Sequence, residues 1–184
     1  MFRRNAVSNK LDNLLALPVA ARSLAQEFDF VSSGQAGLCL KPATSAQAVS
    51  SDQTVSTLIA TVPALLGVTK TSDDLGFTWL LKKDIDENAL VTTLHALAGA
   101  LVEKGVGDRL LCAAFGFVPT LAPGEGSLRM VYLTKQGTWY PFAPTSTTER
   151  NSELELRVRS FLSHELPIEK DLGRWMALWD LPVH

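Results

Sequence analysis

Cys112 and His95 are the one nucleophile–base pair this sequence offers. A thiol attacks as its thiolate once an imidazole has taken the proton and a third group orients the ring. Asp108, near the start of the Cys112 segment, is the orienter on that reading, and the protein would then be a small cysteine-dependent hydrolase or transferase. The surroundings argue the other way. Cys112 lies in Leu110–Val118, the most apolar run of the chain, where a reduced, buried thiol is the ordinary state, and Cys39 sits in similar company. His95 falls beside a leucine stripe, aligned with Val91, Ala98 and Val102, and reads as a packed histidine with one polar partner.

Other motifs fail on spacing. His164-Glu165 opens like a zinc-protease helix, but the run continues Leu166-Pro167-Ile168 without a second histidine. Gly105-Val106-Gly107 follows a helix and precedes a strand, the reverse of what a phosphate-cradling turn needs, so helix capping accounts for it. Two cysteines are too few for a disulfide framework and match no metal spacing, so neither metal nor cofactor is expected and the compartment is read as cytosolic. Arg3-Arg4 is not followed by the apolar region of an export signal. The longest apolar run is about half of what a membrane span requires. With 17 Lys+Arg against 19 Asp+Glu there is no clustered basic footprint for nucleic acid or anionic lipid.

The aromatic segments carry the stronger signal. In Trp139-Tyr140-Pro141-Phe142 alternation puts bulk on both faces of a short strand; either both faces are covered or one meets a partner. Arg174-Trp175 and Trp179 form a second cluster in an amphipathic C-terminal segment, residues 166–184, which either closes the core or docks a partner. Trp139, Tyr140, Phe142, Arg174, Trp175 and Trp179 are therefore the expected protein-binding residues.

These residues need elements to hold them. A first helix is read in two parts, with Ser8 as a cap, Leu11, Leu14 and Leu15 on one face, and Pro18 in the first turn of the second part. Phe28–Ser32 and Gly37–Lys41 read as two strands split by a turn at Ser32-Ser33-Gly34, and Pro42–Ser51 as a surface loop. Val55, Leu58, Ile59, Val62 and Leu66 return to helical spacing, with Pro63 kinking or ending that helix. Phe77–Lys83 is a strand, and Asp84–Lys104 a helix opened by an Asp84/Glu87 box and closed at Gly105. Leu110–Val118 is a central strand whose small face, Cys112, Ala114 and Gly116, invites a helix. Pro119–Ser127 is a loop. Leu128–Lys135 and Thr138–Phe142 make a hairpin turning at Gln136-Gly137, its second strand held to an edge by Pro141. A helix from about Thr148 or Ser152 to Glu165 buries Leu154, Val158, Phe161 and Leu162, and Leu172, Trp175, Met176 and Trp179 suggest a short amphipathic helix.

This order implies a single α+β domain over residues 1–184, residues 1–7 flexible, with a mainly antiparallel sheet and helices mostly on one face. The order of elements is similar to that of type III secretion chaperones, an analogy of fold that licenses no function, although a chaperone-like module binding an amphipathic segment stays among the readings. At Gly76-Phe77-Thr78-Trp79, Leu110-Leu111-Cys112-Ala113, Tyr132 to Pro144 with its Tyr140-Pro141-Phe142-Ala143-Pro144 run, and Leu166-Pro167 to Arg174-Trp175, the chain resembles the PspAB family. One departure is Pro63, which interrupts a segment that looks continuous and helical in the family. The resemblance implies a non-enzymatic cytosolic protein associated with PspA, a coiled-coil protein that supports the membrane during envelope stress. It brings no catalytic residue and no cofactor.

Overall fold

Proline is tolerated in a helix only in the first turn, where its missing N–H would have had no partner. Pro18 obeys this. A 3₁₀ turn over Asp12–Ala16 leads into helix α1, Leu17–Phe28, which buries Leu17, Ala21 and Leu24, while Leu15 turns to solvent. The computed structural model describes residues 10–43, 48–121, 126–179 and 181–183; Ser8, Pro123-Gly124, His184 and the N-terminal seven residues lie outside that set. Among the described residues there are four α-helices and six strands.

Strand β1, Phe30–Leu40, runs unbroken through the expected turn. Gly34, at φ +74°, is absorbed as an irregularity in the register between Ser32 and Ala36 instead of reversing the chain, and its carbonyl accepts from the N–H of Asp84. Helix α2, Ala48–Thr61, begins inside the stretch expected to be loop and stops before Pro63. The 3₁₀ turn Pro63–Leu65 then rotates Leu65, not Leu66, into the core. A short exposed strand, β2, Thr69–Ser72, carries no alternation and had no signature; it pairs with β3, Thr78–Lys83.

Helix α3, Glu87–Glu103, is capped two residues beyond the expected position. Asp86 caps it by accepting from the N–H of Asn88, while Asp84 holds the N–H of Asp86 in the preceding turn. Its stripe of Leu90, Leu94, Leu97 and Leu101 is buried as expected. Gly105 takes the left-handed position, with Val106 N–H donating to Leu101 and Gly105 N–H to Val102. Strands β4, Leu110–Pro119, β5, Leu128–Leu133, and β6, Thr138–Phe142, complete an antiparallel sheet in the order β2-β3-β1-β4-β5-β6. β6 lies at the edge, as Pro141 requires. Helix α4, Ser152–Leu162, is capped by Asn151; its Phe161 stays 41% exposed, edge-on to Phe28, because Val158 and Leu162 take the inward positions.

All four helices pack on one face, against Leu38, Ala113, Phe115, Phe117, Met130 and their neighbours. The small face of β4 is covered differently from what its residues suggested. Cys112 and Ala114 meet no helix; the C-terminal segment crosses them, placing Trp175, Leu181 and Val183 over Cys39, Trp79, Val131, Tyr140 and Phe142. That segment is not the expected amphipathic helix. It holds one 3₁₀ turn, Leu172–Arg174, because the carbonyls of Trp175 and Met176 accept from Arg150 and the Tyr140 hydroxyl rather than from a following helical turn. Leu111 joins this side too, where a register shift at Cys39/Leu40 breaks the alternation. Gly37 makes the close approach feasible: a Cβ there would stand 2.8 Å from Leu81 and 3.2 Å from Val183.

Candidate functional site

The sheet stands between Cys112 and the helical layer that carries His95. Cys112 points into the C-terminal side and is fully buried. Its cross-strand neighbour is Cys39, also a buried free thiol. The Cys39 sulfur beside it, together with burial, pushes the Cys112 thiol well above its ordinary pKa, so the thiolate is disfavoured. His95, on α3, places Nε2 3.0 Å from Asp12 Oδ1 and keeps about a third of its side chain in solvent. Asp108 is exposed in the 3₁₀ turn Gly107–Arg109. The three residues are not brought together. Past α4, Glu165 accepts from the Ser23 hydroxyl at 2.7 Å. Among the described residues no three His, Cys, Asp or Glu side chains gather as metal ligands would.

The aromatic residues do converge, through both sides of β6. Trp139 faces the helices, 4.9 Å from Tyr132 and 5.8 Å from Phe115 between ring centres, and its indole N–H donates to Asn13. Tyr140 and Phe142 face the C-terminal segment. Tyr140 stacks on Trp175 at 5.8 Å; Phe142 has Trp179 at 5.2 Å and the Arg150 guanidinium over its ring at 4.9 Å. Trp139, Tyr140 and Phe142 are fully enclosed, and Trp175 nearly so. Of the expected docking residues only the half-buried Trp179 and the exposed Arg174 reach the surface in this conformation. Arg150 ties the layers together: Nε holds both carboxylate oxygens of buried Glu155 at 2.9 Å, and Glu155 also accepts from the N–H of Ala143.

The C-terminal segment also guards the sheet edge. Trp139 N–H donates to Pro167 and Trp139 C=O accepts from Glu169, a one-bridge parallel pairing that closes one end of β6. Beside that bridge opens a feature no local motif announced, a cavity of about 850 Å³ between the β5–β6 turn and residues 166–174. Lys10, Lys135, Arg159, Lys170 and Arg174 line it with a single carboxylate, Glu169. These cations are scattered through the sequence, and near-neutral totals conceal them; only the fold assembles the basic surface whose absence the charge balance had implied. Burial pushes the Glu169 carboxyl up, but hydrogen bonds from Asp171 N–H and Thr138, with Arg174 at 3.5 Å, outweigh it and hold the group below its usual range.

No curated protein and no solved structure matches this sequence. A family model described as PspA associated protein B, PspAB, matches residues 1–183. Spanning both covers of the sheet, the edge bridge and the basic cavity alike, that match shows that the chain belongs to the PspAB family.

Proposed function

We propose that this protein is a non-enzymatic accessory factor of an envelope-stress response, acting in the cytoplasm by binding another protein, a PspA-type coiled-coil protein. The family match over residues 1–183, whose description is association with PspA, carries the reading. The arrangement of side chains supports it: the thiol, imidazole and carboxylate that would make a hydrolase lie apart, and the aromatic residues build a rigid wall behind an exposed rim. No helix among the described residues is long and apolar enough to cross a membrane. Contact is made at the rim, where Arg174 and Trp179 stand out, while Trp139, Tyr140, Phe142 and Trp175 hold the rim in place. Titration of the purified protein with the PspA of the same cell, followed by calorimetry, tests this. A saturable complex is expected. No detectable complex, together with unchanged stress tolerance in a strain lacking this protein, overturns it.

A further inference from the structure

The cavity beside the edge bridge concentrates charge that the chain does not neutralise. Five cations line it. Arg174 is paired with both Glu169 and Asp171 at 3.5 Å, and Glu169 is further engaged by Thr138 and Asp171 N–H; the other four cations form no ion pair among the described residues. Lys135 and Lys170 are exposed and form no ion pair among the described residues. The Lys10 ammonium is turned onto the Lys135 carbonyl at 2.7 Å, which seats a third cation at the same turn. Lys41, outside the cavity lining, neighbours Lys135, and that contact with some burial pushes its ammonium below the usual range against an opposing pull from Asp108. Like charges gathered in this way repel, and the repulsion is relieved when an anionic group enters.

The geometry points to this cavity as the docking site for a carboxylate-rich, partly apolar segment of a partner protein. The inference rests on the protein-binding reading and names its site and chemistry. Leu166, Pro167 and Ile168 supply apolar floor between the cations, which suits a polypeptide face bearing both acidic and aliphatic side chains better than a bare phosphate or a nucleic-acid backbone. The opening is wide and shared among four segments of chain, so no single loop forms an anion nest there. Arg159 links this cavity to the aromatic wall: it lines the cavity, and its guanidinium stands 5.9 Å from the centre of the Trp175 ring.

The test titrates isotope-labelled full chain with a synthetic amphipathic peptide bearing glutamate on one face and leucine on the other. Its glutamine analogue, single-stranded DNA and inorganic phosphate serve as controls, at low and high salt. The acidic peptide should shift the amides of residues 135–138 and 166–174, bind at least about tenfold more weakly at high salt, and lose about tenfold affinity in the Lys135→Glu/Lys170→Glu variant. The Lys135→Gln/Lys170→Gln variant, with circular dichroism and melting unchanged, should lose less. Shifts elsewhere, equal binding of the glutamine analogue, or cavity shifts with DNA or phosphate alone overturn the inference. If PspA binds wild type and the charge-swapped variant equally, the cavity assignment fails and the protein-binding reading stands. If the peptide seats in the cavity but PspA never binds, the reverse holds.

Discussion

The two faces of the sheet are covered by opposite means. On one side, helices satisfy their own backbone and offer leucine stripes; α3 alone buries Leu90, Leu94, Leu97 and Leu101. On the other, the C-terminal segment has local hydrogen bonds only around its one 3₁₀ turn, within residues 169–176, and borrows further donors from the sheet and from the stretch before α4. Arg129 Nε donates to Val183 at 2.8 Å, Arg150 to Trp175 at 3.1 Å, and the Tyr140 hydroxyl to Met176 at 3.1 Å. This explains polar side chains on a buried face. A strap without regular structure has carbonyls to satisfy, and side chains reaching through an apolar layer are the available donors. Burial alone pushes the Arg129 guanidinium below its usual range, though it stays charged at physiological pH. One cover therefore stands on volume, the other on a few directed bonds plus two indole rings.

The largest loss should come from the helical side. Leu94 is fully enclosed among helix and sheet residues, so Leu94→Ala should cost about 3–4 kcal/mol and lower the melting temperature by roughly 10 °C. Hydrogen exchange should accelerate across the sheet, since this cluster spans all four helices and every strand but β2. A loss below about 1 kcal/mol would mean the helical layer is looser than its burial implies.

Trp175→Ala should cost less, about 2–3 kcal/mol, because the segment around it has only one 3₁₀ turn of regular structure and can settle into the gap. The signature matters more than the size. Exchange should accelerate in residues 172–183 while α3 and β4 stay protected, and the two thiols beneath should change behaviour. In the wild type, iodoacetamide should label neither Cys39 nor Cys112 before unfolding, given their burial. In the variant, Cys39 should react at least about tenfold faster, since it already borders a cavity of about 290 Å³ lined by Met176 and Trp179. Exchange spreading equally to both faces would erase the distinction between the covers.

Legibility in the sequence divides along the same line. The α3 stripe, the Gly105 cap, the start of α1 at Pro18 and the β5–β6 hairpin could be read because each has a local cause, a period of 3.6, a left-handed glycine or a turn closed by glycine. The hairpin turn nonetheless spans four residues, Thr134–Gly137, and β5 ends at Leu133 rather than Lys135. The Ser32-Ser33-Gly34 turn signal misled because a glycine at φ +74° serves an irregular strand as well as a reversal, and only the partner strand decides. The C-terminal helix failed for the same reason. Its apolar spacing fits a helix, but the donors that hold it extended sit on Arg150, Tyr140 and Arg129, far away in sequence. Burial of Trp139 and Tyr140 follows from two covers arriving from different parts of the chain, and the basic cavity from residues as distant as Lys10 and Arg174. The family likeness was legible in short motifs, because those are local runs of residues.

The smallest effect is also a way to tell the covers apart by sign. At the start of α3, burial and the neighbouring Asp86 raise the Glu87 carboxyl to about 7, against a partial pull downward from Arg22. A folded-state pKa above the unfolded value means the native state binds more protons, so this contribution is complete below about 4.5 and is lost as pH rises through about 7. Glu169, in the C-terminal segment, is held below its usual range, so its contribution is complete above about 4.5 and is lost as pH falls through the folded value. Glu87→Gln should accordingly flatten the decline in stability on going to neutral pH, gaining on the order of 1 kcal/mol above pH 7 after solvent screening. Glu169→Gln should weaken the protein at neutral pH and converge on the wild type in acid. Thermal melts across the pH range read both slopes; slopes of the same sign in the two variants would show that the covers respond to protons as one unit.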